Sequence, residues 1–168
     1  MPTKSHRELA EILSTRFDEV WFVPCFQSLY GKSMASYDHR LAMSSLLITR
    51  PNIKVSDFER GLSGTTYDLL TKLIATHPQH RFTFVIGLDN ANKFPGWYRA
   101  NDLERLVPFL VFKRKGYEEN PEIQWYKNPP HTFIDLSTEH SISSTQAREA
   151  VRGVDEAVLR YAFDNKLY

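Results

Sequence analysis

The segment Ile142-Ser143-Ser144-Thr145-Gln146-Ala147-Arg148 gathers three hydroxyls and a guanidinium at the entry to a predicted helix. The N–H groups of a first helical turn have no partner within the helix. The positive end of the helix dipole adds to their pull on an anion. Ser144 and Thr145 bring hydroxyl donors, and Arg148 follows Ser144 by one turn, so its guanidinium reaches the same end. The chemistry this suits is holding phosphate. A purely structural reading is a capping box, with Ser143 as the cap and Gln146 reaching back. The two readings are compatible.

Three further segments carry polar or aromatic groups where a ligand would need them. In Phe84-Val85-Ile86-Gly87-Leu88-Asp89-Asn90, a glycine and a carboxylate directly follow a buried strand. That places them at the carboxyl edge of a sheet, where open α/β folds bind ligands. Gly87 lets a ligand lie against the backbone and Asp89 can accept from a ribose; a strand-ending turn capped by Asp or Asn is the alternative. In Phe94-Pro95-Gly96-Trp97-Tyr98-Arg99, Trp97 is placed either to stack on a flat ring or to pack under its own loop. Gly31-Lys32 follows the Pro24 loop, also on the carboxyl side of a strand. Lys4 and His6 stand at the opening helix. Each of these cations is a candidate for phosphate and also an ordinary solvated side chain.

These groups need a scaffold, and the hydrophobic pattern supplies one. Strands are predicted at Val20 to Val23, Ile53 to Phe58, Phe82 to Ile86, Val107 to Phe112 and Thr132 to Leu136. Helices are predicted at His6 to Thr15, Tyr37 to Ile48, Thr66 to Thr76, Asn101 to Leu106, Ser144 to Arg152 and Asp155 to Asn165, with Pro51, Pro78 and Gly153 as stops. Alternating strands and helices predict an α/β fold, Rossmann-like and doubly wound, with a parallel sheet covered by helices on both faces. Lys115 to Pro130 is the least core-like stretch and reads as a surface excursion, with a short strand at Ile123 to Tyr126.

The 168 residues fit a single domain, residues 1–168. Hydrophobic residues at 42% suffice for an ordinary core, and 21 basic against 20 acidic side chains leave a net charge of +1. No general field draws this chain to nucleic acid or membrane, so phosphate must be held by local groups. The single cysteine, Cys25, excludes an intrachain disulfide and reads as a small core residue. No stretch is apolar for long enough to cross a bilayer, and Met1 to His6 does not read as a secretory signal, so a cytoplasmic location is expected. There is no Gly-x-Gly-x-x-Gly, no Walker A loop, no Gly-x-Ser-x-Gly elbow and no zinc pattern among the histidines.

Taken in order, these segments resemble the bacterial nicotinate-nucleotide adenylyltransferases, within the wider HIGH-motif nucleotidyltransferases. Ile142-Ser143-Ser144-Thr145-x-x-Arg148 resembles that family's Ile-Ser-Ser-Thr-x-x-Arg. Phe84 to Asp89 resembles its Gly-x-Asp strand end, and Phe94 to Arg99 the loop whose Trp stacks on a pyridine ring. Tyr37 to Met43 resembles its Arg-Leu-x-Met helix, Lys32 a lysine before that helix, and Gly64 to Leu70 its Ser-Tyr-Thr-x-Asp-Thr-Leu segment. Pro2-Thr3-Lys4-Ser5-His6 is similar to the tail of its Pro-Pro-Thr-x-Gly-His box. Thr3 stands at the first His position, Ser5 at the Gly, and His6 at the second His.

The resemblance implies adenylyl transfer from ATP to nicotinate or nicotinamide mononucleotide, giving a dinucleotide and pyrophosphate in NAD biosynthesis. It implies His6, Lys32 and Arg148 as catalytic groups, with Thr3, Ser143, Ser144 and Thr145 on the ATP phosphates. Gly87, Asp89, Trp97, Thr66 and Arg114 would line the nucleotide and acceptor site. Mg²⁺ would come with ATP, held through phosphates and not by protein ligands. It implies small-molecule partners only, with no nucleic acid and no membrane, and leaves a homo-oligomer open. Other members, cytidylyl or pantetheine-phosphate adenylyl transferases, and a non-catalytic nucleotide-binding relative are the alternatives. The family opens with a strand and Gly-rich turn that this sequence lacks. The motif cut in its middle leads us to expect a longer natural protein, testable by its mass, or else a degenerate relative.

Overall fold

The computed structural model describes residues 1–27, 34–114, 116–136 and 154–167. In chain order the described elements are α1 (Lys4–Leu13), β1 (Val20–Phe22), α2 (Tyr37–Ser45), β2 (Ile53–Val55), α3 (Thr66–Thr76), β3 (Phe84–Gly87), α4 (Leu88–Ala91), α5 (Ala100–Leu106), β4 (Phe109–Lys113), β5 (Thr132–Asp135) and α6 (Glu156–Asp164). The chain divides into two compact units, one built from Met1–Gly64 with Ile142–Tyr168 and the other from Thr65–Ser141.

In the first unit β1 and β2 pair in parallel, Val20 beside Ile53 and Phe22 beside Val55. Pro24, which has no N–H to donate, follows β1 closely. Ser36 caps α2 through its hydroxyl, which accepts from His39 N. Met43 and Leu47, one helical turn apart, are fully buried with Val158 of α6, and Phe22, Ala35 and Tyr161 pack against them. The His39 ring also meets the Tyr161 hydroxyl at 3.0 Å. An apolar stripe on α2 and one on α6 thus form the core of this unit.

In the second unit β3, β4 and β5 are parallel neighbours in that order. Phe84 lies beside Phe109, and Leu110 beside Thr132. Thr65 Oγ1 accepts from Asp68 N to start α3, whose Leu69, Leu70 and Leu73 are buried. Phe109, with no exposed surface, meets the rings of Phe84, Phe94 and Trp125 edge-on at centroid distances of 5.6, 5.1 and 5.2 Å.

Apart from Ser144 to Arg152, which lies outside the described residues, and the short strand expected at Ile123 to Tyr126, the predicted strands and helices appear within a few residues of their expected positions. One strand does not form. Trp125–Lys127 is a turn of 3₁₀ helix. Trp125 stacks on Phe94 at 4.0 Å and Tyr126 is fully buried. Two aromatics anchor what the sequence suggests is a surface excursion; their burial, not a strand, explains their presence.

His131 joins β4 to the excursion. Its side chain is only 2% exposed, and its Nδ1 accepts from Phe109 N at 3.1 Å. Burial holds its pKa below the ordinary imidazole value, against the opposing charge of Glu104. Protonation would place a proton on the accepting nitrogen and break that bond. Because the folded pKa lies below the unfolded one, the unfolded chain takes up the proton first, and stability falls as pH drops through about 6.5. We expect the loss of Tm between pH 7.5 and 5.5 to be smaller in His131→Gln than in the parent. Equal losses in thermal melts would remove His131 from the acid response.

Candidate active site

At the carboxyl end of β3, Gly87, Asp89 and Arg114 come together. Gly87 has φ of −75°, which any residue adopts, so backbone conformation does not demand glycine here. Space does. A Cβ on Gly87 would stand 2.5 Å from Asp89 Oδ1, 3.6 Å from Phe112 Cζ and 3.8 Å from Arg114 Nη2. Asp89 lies in the first turn of α4, and its Oδ1 is 3.9 Å from Arg114 Nη2. That is an ion pair, too long for a hydrogen bond. The guanidinium lies 5.5 and 5.4 Å from the ring centroids of Phe112 and Tyr117. A carboxylate and a guanidinium, both partly open to solvent, flank bare backbone at a strand end. This arrangement can hydrogen-bond a hydroxylated or amide-bearing ligand from two sides.

Trp97 closes a 3₁₀ turn over Phe94–Gly96, its N–H donating to Phe94 O at 2.8 Å. Phe94 is 2% exposed and anchors the turn; Trp97 is half-buried, its ring 5.5 Å from that of Phe94. Trp97 thus packs on Phe94 while remaining partly accessible. Arg99 adopts φ of 55°, in the left-handed region. It lays its guanidinium 4.1 Å from the Tyr67 ring centroid and donates to Asp102 Oδ2 at 2.6 Å. Tyr67, adjacent to Thr66 at the start of α3, also meets Tyr98 edge-on. The ends of α3 and of the tryptophan turn are thereby joined.

In the other unit, Thr3 and His6 share the start of α1. Thr3 N donates to His6 Nδ1 at 3.2 Å, and Thr3 Oγ1 lies 2.6 Å from the same nitrogen. An accepting Nδ1 puts the ring proton on Nε2, which makes that nitrogen a donor. Thr3 also bridges Val154 in antiparallel fashion. Next to it, Arg7 Nη2 lies 2.7 Å from Asp155 Oδ2 and donates to Leu46 O at 3.0 Å. The Asp155 side chain is 3% exposed, and its Oδ1 caps α6 by accepting from Ala157 N. The start of α1 is thus fastened to the residues that follow the Ser-Ser-Thr-x-x-Arg segment.

A second fixture holds the loop after β1. Arg40 Nε donates to Ala35 O at 3.0 Å, Nη2 to Phe26 O at 2.8 Å, and Nη1 to Cys25 O. Glu59, 4% exposed, accepts from Phe26 N at 3.0 Å. Burial pushes the Glu59 carboxyl above its ordinary pKa. Cys25 is exposed, not the core residue the sequence suggests. Partial burial and the adjacent Glu59 carboxylate raise its thiol pKa, which disfavours the thiolate.

Lys32, Ser143, Ser144, Thr145 and Arg148 lie outside the described residues. The other expected site residues fall into two groups, Thr3 and His6 in one unit and Gly87, Asp89, Arg114, Trp97 and Thr66 in the other. Among the described residues no three His, Cys, Asp or Glu side chains converge on a metal position. Nor is any described helix long and apolar enough to cross a membrane. The sequence does not mark Arg7 or Glu59; it marks Asp155 only as the start of a predicted helix and Arg40 only as part of the Arg-Leu-x-Met helix. Their partners are backbone atoms or residues distant in sequence, and no local spacing announces them.

Residues 1–150 match the cytidylyltransferase-like family model. Among curated proteins, a probable nicotinate-nucleotide adenylyltransferase of Anaeromyxobacter sp. is 34% identical over 158 residues, covering 89% of this chain and 80% of the relative. One of Oceanobacillus iheyensis is 29% identical over 180 residues, covering 99% and 91%. One of Myxococcus xanthus is 39% identical over 104 residues, covering 60% of this chain and 55% of the relative. Among solved structures, the Plasmodium falciparum nicotinic acid mononucleotide adenylyltransferase complexed with NaAD superposes with a TM-score of 0.82 at 23% identity, over 100% of this chain and 92% of that one. That likeness establishes the α/β nucleotidyltransferase fold.

Proposed function

The chain belongs to the nicotinate-nucleotide adenylyltransferases of the cytidylyltransferase-like family, and from that premise we propose how its residues divide the work. The reaction is adenylyl transfer from ATP to nicotinate mononucleotide. A phosphate oxygen of the mononucleotide attacks the α-phosphorus of ATP, the bond to the bridging oxygen breaks, and pyrophosphate leaves. Little covalent work falls to the protein; alignment of the two phosphates and neutralisation of charge carry the rate. The observation that most supports this reading is the relative matched over four-fifths of its length at 34% identity.

His6 donates from Nε2 to phosphate oxygens, with Thr3 holding the opposite ring nitrogen as an acceptor. Lys32 and Arg148 supply positive charge, and Ser143, Ser144 and Thr145 offer donors at a helix start. Gly87, Asp89 and Arg114 take the nucleotide against the strand end, Trp97 stacks on the pyridine, and Thr66 stands beside it. Mg²⁺ would be carried on the triphosphate, with few ligands from the protein. When bound, it offsets phosphate charge.

Pyrophosphate release with ATP and Mg²⁺, measured in parallel with nicotinate and nicotinamide mononucleotides, tests this reading. Release with the acid, together with dinucleotide product, supports it; release only with the amide overturns the acceptor; no release from folded protein with either leaves a binding-only relative. Arg148→Ala is expected to lower turnover about ten-fold or more, the loss of one charge-assisted contact. Unchanged turnover removes Arg148 from the site.

A further inference from the structure

A helix of one turn cannot hold itself in water, so α4 and its Asp89 must be fixed by their neighbours. Leu88 and Ala91, 1% and 0% exposed, anchor the buried side. The carbonyls of a last helical turn have no donor within the helix. Trp125 supplies one: its Nε1–H donates to Ala91 O at 3.2 Å. One residue on, Asn92 Nδ2 donates to Glu118 O at 3.1 Å. Both partners belong to the excursion between β4 and β5. The face of the same indole stacks on Phe94 at 4.0 Å, and Phe94 anchors the turn that ends in Trp97, its ring 5.5 Å away. Phe109 and His131 meet the indole edge-on at 5.2 and 5.1 Å and fix its plane. Filling this space needs only an aromatic ring. The N–H aimed at α4 is a further requirement, which phenylalanine would not meet.

We infer that Trp125 is a positioning residue for two flanks of the candidate site. Its ring sets the Trp97 turn through Phe94, and its N–H sets α4 and with it Asp89. The inference rests on the assignment of Trp97 to the pyridine and of Asp89 to the nucleotide. Trp125 itself need not touch substrate.

Trp125→Leu removes both links, whereas Trp125→Phe keeps the ring and removes only the N–H. Each is made alone, with Trp97→Ala and with Asp89→Ala. The variants are compared by kcat and KM for nicotinate mononucleotide in pyrophosphate release, and by thermal melts. Calorimetric Kd values for ATP and nicotinate mononucleotide read the same pattern without turnover. Trp125→Leu is expected to lower kcat/KM about ten-fold, through misplacement of both groups. Trp125→Phe should lower it about three-fold, the loss of one neutral hydrogen bond. The Trp125→Phe loss should persist beside Trp97→Ala and fall below about 1.5-fold beside Asp89→Ala, where the group it positions is gone. Beside Trp97→Ala, the Trp125→Leu loss should shrink to that of Trp125→Phe. Equal losses in every background, following the fall in Tm, would overturn the inference while leaving Trp97 and Asp89 in the site. Parent-like kcat/KM and Kd in both Trp97→Ala and Asp89→Ala would remove those residues from the site and the inference with them. Should Trp125→Leu not fold, Trp125→Phe carries the comparison alone.

Discussion

Gly87→Ala is expected to lower kcat/KM about a hundred-fold while leaving Tm close to that of the parent. The added methyl needs room 2.5 Å from Asp89 Oδ1. The other two neighbours, Phe112 Cζ and Arg114 Nη2, are at ordinary contact distance. The fold can accept the methyl because the obstacle is a carboxylate on rotatable bonds. Backbone strain does not arise, since φ at Gly87 suits alanine. What yields is the position of Asp89, and with it the pairing to Arg114. A displacement of about 1 Å in a ligand-orienting group typically costs two orders of magnitude in rate. Steady-state kinetics beside a thermal melt separates the two effects. Full activity in Gly87→Ala, or a collapse of Tm with activity per folded molecule unchanged, would mean that this strand end does not shape the ligand site.

Asp155→Ala carries the largest expected loss of stability. Its carboxylate has two duties, pairing with Arg7 and capping α6. Removing one partner of a buried ion pair costs about 3 to 5 kcal/mol. Arg7 keeps 30% of its side chain exposed, which puts the loss near the lower end. The cap adds about 1 kcal/mol. For a protein of this size the sum corresponds to a fall of about 10 °C in Tm. Asp155→Asn should lose less, because its amide oxygen can still cap Ala157 N. Urea unfolding of both variants tests this, and a parent-like midpoint for Asp155→Ala would show that the pair contributes nothing net.

Strands with period-two or continuous apolar patterns, and helices with capped starts and proline stops, were readable because each signal lies within about ten residues. Thr65 and Pro78 bracket α3 for that reason. The four residues of α4 were not readable: Gly87-Leu88-Asp89-Asn90 has the composition of a turn. Trp125 and Tyr126 misled because aromatics favour strands, whereas here they fill space beside Phe94 and β5. In the candidate site, Gly87 and Asp89 were legible as a strand end. Arg114 entered only through family resemblance, and its pairing with Asp89 depends on β3 and β4 lying side by side. The Arg40 fixture spans carbonyls, which every residue has, so no residue type betrays it. Arg7 and Asp155 sit at opposite ends of the chain, and only folding makes them neighbours.

The division of the chain has a consequence for synthesis. Thr65–Ser141 is contiguous and can close its sheet and aromatic core while the ribosome is still translating. The other unit cannot. Its α1 waits for Val154 and Asp155, and Met43 waits for Val158. Until residues 154–158 are made, the growing chain can carry Thr65–Ser141 complete while the buried side of α2 lacks Val158. Chains that stop before residue 154 should therefore expose the apolar side of α2 and aggregate, and α2 is where the growing chain has most need of chaperone cover.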